Sequence, residues 1–423
     1  MDLQLKKLVD LTKEKIGLHS YGLHTANIYS HKNIFNGTDY TLSMEWFPEH
    51  ITERTEDGLN PTGTAVVDLD LRSRRLKSII FVGGKAGATT LAFDKHDSHD
   101  IIHWIEKETG LTYHHQFQIK KEEETKMLFQ SCLHGIPVSP PGHIEIQLDD
   151  TGKLLSFSIF GDFPSNDPVE KVNYTLTLDS DIKQVAYEQW KLFEFPSKKQ
   201  EKWLPIYAME ELYVSNDKKT TIPFEVMVDR RSYLKIEKMM EWDTPIHEKF
   251  EERPLNVTND CVTSDQAFSF MPHPDTLPLT KHDQEMAIAG VLAFLRKEFP
   301  NDTANWMLIS LHRDKRYIIA ELKQIENIRV PQRKLKVFID SMHYEAVNYF
   351  DNQLFLKMFE QYTASDVVTT SKEDAFEKIQ SKLELTPVYV YDFEQKRYIL
   401  CGKLDCQYGV LATSGDVIEL DEV

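Results

Sequence analysis

Residues 142–160 read GHIEIQLDDTGKLLSFSIF, and their alternation decides the fold. Ile144, Ile146 and Leu148 recur at a spacing of two, the period of an antiparallel strand with one buried face. Asp149, Thr151 and Gly152 follow. They supply the side-chain-to-backbone bonds and the positive-φ glycine that tight turns need, before a second apolar strand begins at Leu154. The segment reads as a hairpin.

The shape recurs along the chain as GTAVVDLDLRSRRLKSIIF from Gly63, IPFEVMVDRRSYLKIEKM from Ile222, RKLKVFIDSMHYEAVNYF from Arg333 and GKLDCQYGVLATSGDVIEL from Gly402. Thr413, Ser414 and Gly415 make the last turn resemble the first. At the equivalent position glycine gives way to Arg74, Tyr233 and Tyr344, so those turns are expected to differ in detail.

A helical segment precedes each hairpin. Asp97 or Ser98 can cap a helix running to Thr109, Gly110 is placed to end it, and Ile101, Ile102 and Ile105 form its apolar stripe. Asp2 to Ile16, Asp179 to Phe193, His282 to Phe299 and Ser371 to Leu383 carry similar stripes. A helix packed on one face of a small antiparallel sheet buries both stripes, which predicts an α+β fold of repeated units. The expected division is an amino-terminal unit at 1–95, a first pair of units at 96–250, a proline-rich connector at 251–277 and a second pair at 278–423. Pro272, His273 and Pro274 in the connector could instead form an ordered loop over a sheet edge.

The h-x-h-D-x-x-T-G-x-h-h pattern at Glu145 to Leu155, with its relative at Tyr408 to Ile418, resembles PepSY-type modules. The leading helix, then YTLSMEWF from Tyr40 and the hairpin from Gly63, is similar to the YcdB/YcdC repeat of bacterial proteins. The resemblance implies repeated PepSY-like units and modules that restrain or chaperone peptidases. It implies no catalytic residues.

Lys and Arg number 49 against 67 Asp and Glu, a formal charge of -18. Such a surface repels phosphate backbones and anionic lipid, so nucleic acid and membrane insertion are not expected. No stretch approaches the ~18 consecutive apolar residues of a spanning helix. The amino terminus has no apolar signal core, so the chain is expected in the cytoplasm. Cys132, Cys261, Cys401 and Cys406 are too scattered for a disulfide framework and read as reduced thiols.

Chemistry-bearing motifs are few. In HDSHDIIH, His99 and His103 stand four apart on a helix, and His96 could supply a third metal ligand, which would suit a metal-dependent hydrolase. Asp100, where zinc peptidases carry glutamate, is one methylene short for the general base. FVGGKAGATT from Phe81 lacks the Ser or Thr that a phosphate loop needs after its lysine. No GxSxG elbow is present. Trp46, Trp104, Trp190, Trp203, Trp242 and Trp306 are explained by core packing before a ligand groove. No cofactor is expected. The function expected is a non-enzymatic protein- or peptide-binding module, one that could modulate a peptidase, with strand addition at exposed edges as its mode. The alternatives are the hydrolase and a structural scaffold.

Overall fold

The computed structural model describes residues 2–33, 35–85, 87, 91–94, 97–164, 172–224, 233–256, 261–325, 328–393 and 395–423. The fold is mixed α+β. Contacts divide the chain into two compact units, one of residues 1–171, 259–276 and 388–399, the other of residues 172–258, 277–387 and 400–423. These units run across the boundaries expected at 95, 250 and 277.

In the first unit, helix α1 (Leu3–Ile16) leads into strands β1 (Tyr21–Lys32), β2 (Thr38–Pro48), β3 (Ala65–Asp70) and β4 (Leu76–Phe81). Helix α2 (Ser98–Thr109) leads into β5 (Phe117–Glu122), β6 (Lys126–Leu133), β7 (Ile136–Ser139), β8 (His143–Leu148) and β9 (Leu154–Phe160). The strands join in the order β1-β2-β3-β4-β9-β8-β6-β7, with β5 on β6. At β7, Val138 and Ser139 pair in parallel with Tyr389 and Val390.

The caps form as the residue types require. The Asp97 carboxylate accepts from the His99 amide, and Gly110 ends α2 at φ 68. Leu5, Leu8 and Ile16 of α1 and Ile101, Ile102 and Ile105 of α2 enter one core with Leu42, Met44, Ile79, Ile144 and Phe157. Two successive helices therefore share one sheet, where one helix per small sheet was expected. β4 pairs with β9 and makes the sheet continuous. Residues 259–276 of the proline-rich segment belong to this unit, and 251–258 to the other. Val262 N donates to Ile28 O on the edge strand β1 at 2.9 Å, and Ala267, in the short helix Ser264–Phe268, is buried. At the Pro272–Pro274 stretch, His273 N donates to Thr38 Oγ1 at 2.7 Å.

The second unit has helices α3 (Ser180–Gln189), α4 (Lys281–Glu298) and α5 (Lys372–Ile379). Its strands are β10 (Lys191–Ser197), β11 (Lys202–Ala208), β12 (Leu212–Ser215), β13 (Thr221–Pro223), β14 (Leu234–Met240), β15 (Trp306–Asp314), β16 (Tyr317–Gln324), β17 (Lys334–Asp340) and β18 (Ala346–Asp351); β19 (Glu384–Asp392) and β20 (Arg397–Asp405) have residues in both units, and β21 (Tyr408–Leu411) and β22 (Val417–Glu419) belong to the second. A five-stranded sheet runs β14-β15-β16-β17-β18, and a four-stranded sheet runs β10-β11-β21-β22. α4 buries Ala287, Val291, Phe294 and Leu295 against Trp306, Leu308, Leu322 and Val337 of the first of these. Ile182 and Ala186 of α3 share another core with Ala375, Phe376 and Ile379 of α5, so those helices are also not one to a sheet. α3 stops at Gln189, short of the expected Phe193, because Trp190 turns into that core and β10 begins at Lys191.

The hairpins from Gly63, Gly142, Arg333 and within the Gly402 segment form. Among the described residues of the segment from Ile222, β13 pairs with β12, and β14 pairs with β15. Residues 225–232, its expected turn, lie outside the described residues. The turns with Arg74 and Tyr344 differ from the turn at Gly152, as expected, but match the one at Gly415. At φ 59 and 58 both residues adopt the left-handed conformation that Gly415 adopts at φ 77. All three turns carry the same bonds: Arg74 N to Asp70 O, Tyr344 N to Asp340 O and Gly415 N to Leu411 O, at 2.7–2.9 Å. The turn at Gly152 is one residue shorter, its amide bonding Asp149 O at 2.9 Å.

Candidate functional site

His99 and His103 stand exposed on the outer side of α2, and His96 lies outside the described residues. Among the described residues, no three His, Cys, Asp or Glu are grouped to hold a metal ion. Lys85, in the glycine-rich stretch, is exposed. Cys132 and Cys406 are buried, and burial pushes both thiols above their ordinary pKa, which suits small packing residues rather than nucleophiles. No helix among the described residues is long and apolar enough to cross a membrane.

Strand edges are a further place for recognition, and the sequence treats them unequally. β5 presents Lys120, Lys121 and Glu122 to solvent. β14 presents Lys235, Glu237 and Lys238, with a bulge at Glu237, φ 50. Charge and bulges of this kind blunt an edge against pairing. β18 is covered where Arg253 N donates to Val347 O at 2.7 Å.

β10 differs from these. Its sequence is KLFEFPS, largely apolar, and it forms one edge of the four-stranded sheet. Glu194 faces Pro205 on β11, a residue with no amide hydrogen to give. The backbone groups of Glu194 accordingly point away from the sheet. Its amide donates to Ile328 O, and its carbonyl accepts from Val330 N, both at 2.8 Å. The alternation of a strand turns the amide of Leu192 and the carbonyls of Leu192 and Pro196 the same way. Among the described residues these have no backbone partner.

A polar and aromatic socket surrounds Glu194. Arg329 Nε donates to Glu194 Oε2 at 3.0 Å, and the Ser365 hydroxyl donates to the other carboxylate oxygen. The Arg329 guanidinium lies 4.5 Å from the centroid of the Trp203 ring. Trp203 is 3% exposed, so the indole is rigid and presents its π-face to the cation. From Trp203 an aromatic chain leads outward: Phe359 is 5.7 Å away, and Phe355 is 5.6 Å beyond Phe359. Phe355 is 53% exposed, beside Leu354 at 80% and Met358 at 45%. Exposed apolar side chains grouped in this way mark interaction surfaces more often than scattered ones do.

Aromatics were expected in cores, and Trp203 is buried as expected, yet its ring also forms a wall of this site. Arg329 and Glu194 carried no sequence signal, because 135 residues separate them. The exposed run LFLKM at 354–358 follows a hairpin strand and has no period of its own.

No protein-family model matches the chain. No curated protein matches it either. Among solved structures it is similar to the Bacillus megaterium YpeB C-terminal domain, with 8% identity over 82% of this chain and 96% of that one, at a TM-score of 0.22. A likeness of that size says nothing about function.

Proposed function

We propose that this chain is a non-enzymatic protein-binding module that takes an extended segment of a partner along the β10 edge, with the apolar ridge at Leu354, Phe355 and Met358 gripping the partner beside it. The observation that carries the reading is the continuity of an apolar strand edge, a buried indole and an exposed ridge within one unit. Main-chain bonds to such an edge give affinity, and the pockets beside it give selectivity. A repeated, PepSY-like construction belongs to the same proposal. Its support is the hydrogen-bond pattern shared by the turns at Arg74, Tyr344 and Gly415. A peptidase is the partner class that the sequence resemblance implies.

A photoreactive residue placed at Leu354, with Gln184 on α3 as control position, tests the reading in extracts. Discrete crosslinked products are expected from 354 and not from 184. Products that are the same from both positions, or that persist when Phe355→Asp and Met358→Asp are added, would refute it.

A further inference from the structure

We infer that the Glu194–Trp203 socket is an arginine-recognition site, and that the chain's own Ile328, Arg329 and Val330 occupy it in place of a partner's arginine-bearing strand. The inference rests on the protein-binding reading above and gives that edge a partner chemistry.

The internal segment is seated as a bound peptide would be. It runs parallel to β10 and bonds both backbone groups of Glu194. It sends an arginine onto a carboxylate and over an indole face. A guanidinium satisfies both at once, because its plane stacks on the ring while its edge donates, which a lysine ammonium cannot do. Both walls are nearly buried, with the Glu194 side chain 16% exposed.

The occupant is partly open to solvent, and its described pairing with β10 is at Glu194. The Arg329 side chain is 42% exposed and Ile328 is 49% exposed. A cover built solely to blunt an edge would gain from running along all of it, as the chain does elsewhere with charge and bulges. An incoming strand that pairs with Glu194 and brings its own arginine replaces the backbone bonds to Glu194 and the contacts of Arg329 with the Glu194 carboxylate and the Trp203 ring. The formal charge of -18 favours such a cationic segment over an acidic one.

The partner class is thus an extended segment with arginine between β-branched apolar residues. The test uses the full chain and a labelled, capped peptide, Thr-Val-Arg-Val-Thr-Val, read by fluorescence anisotropy. Arg329→Ser empties the socket and should bind the peptide at least tenfold more tightly than wild type. Adding Glu194→Gln should remove that gain, as should changing the peptide's arginine to glutamine. Ile328→Gly loosens the occupant and leaves the socket intact. It should shift affinity the same way, and it replaces the first variant if far-UV circular dichroism shows that one unfolded. Binding no tighter in either variant, or a gain that survives Glu194→Gln, would overturn the inference. The protein-binding reading fails separately, through the ridge substitutions and the crosslinks from position 354.

Discussion

The Asp283 carboxylate shows how one residue can close a network. Its two oxygens accept from the Tyr344 hydroxyl at 2.6 Å, the Thr280 amide and hydroxyl at 2.8 Å each, and Arg313 Nη2 at 2.9 Å. Burial alone would push its pKa up, but these donors and the guanidinium charge outweigh burial and hold it down to about 2, from 3.8. A carboxyl depressed in the folded state contributes stability above its unfolded pKa and loses that contribution as pH falls through the folded one. Asp283 should therefore supply about 2 kcal/mol that is present above pH ~4 and disappears towards pH ~2. Urea unfolding of wild type and Asp283→Asn should show a gap at pH 6 that shrinks at pH 2.5; a gap independent of pH would contradict the assignment. Arg74 poses the opposite case, a side chain held at φ 59. Arg74→Gly relieves left-handed strain and should raise stability by about 0.5–1 kcal/mol, measured as a higher unfolding midpoint.

Helices and hairpins were the most legible elements, because short-range rules fix them. The span of α2, its Asp97 cap and its Gly110 stop follow from residue types within a few positions. How the elements combine was not legible. The bonds between β4 and β9 that place α1 and α2 over one core join Ile79 to Phe157, and no local pattern encodes that pairing. Alternation in the Ile222 segment marks strands without saying which strands pair, and its described ends pair with β12 and β15. Two substitutions test this level. Ile105→Ala empties fully buried space between α2 and its sheet and should cost about 2–5 kcal/mol in chemical unfolding. Gly290→Ala puts a methyl 2.2 Å from Tyr344 O, where α4 crosses the turn, and should cost about 1–3 kcal/mol. An unchanged midpoint for Gly290→Ala would mean that α4 does not rest on that turn.

Across the whole molecule, the sequence offered a charge balance and a few motifs. The acidic balance argued against polyanion partners, and the histidines that looked most like a metal site, His99 and His103, stand exposed on a helix. The socket escaped sequence reading for a physical reason: it needs a strand edge at Glu194, an indole at Trp203 and a loop at Arg329 that only the tertiary fold brings together. Strand addition is also the kind of recognition that leaves little sequence trace, since backbone groups supply much of the affinity. The most direct test is selection of random extended peptides on the full chain. The account predicts enriched sequences that alternate apolar and polar residues around one arginine, and loss of binding to a chain carrying Glu194→Gln with Phe355→Asp. Peptides without arginine that bind wild type and that variant equally would contradict it.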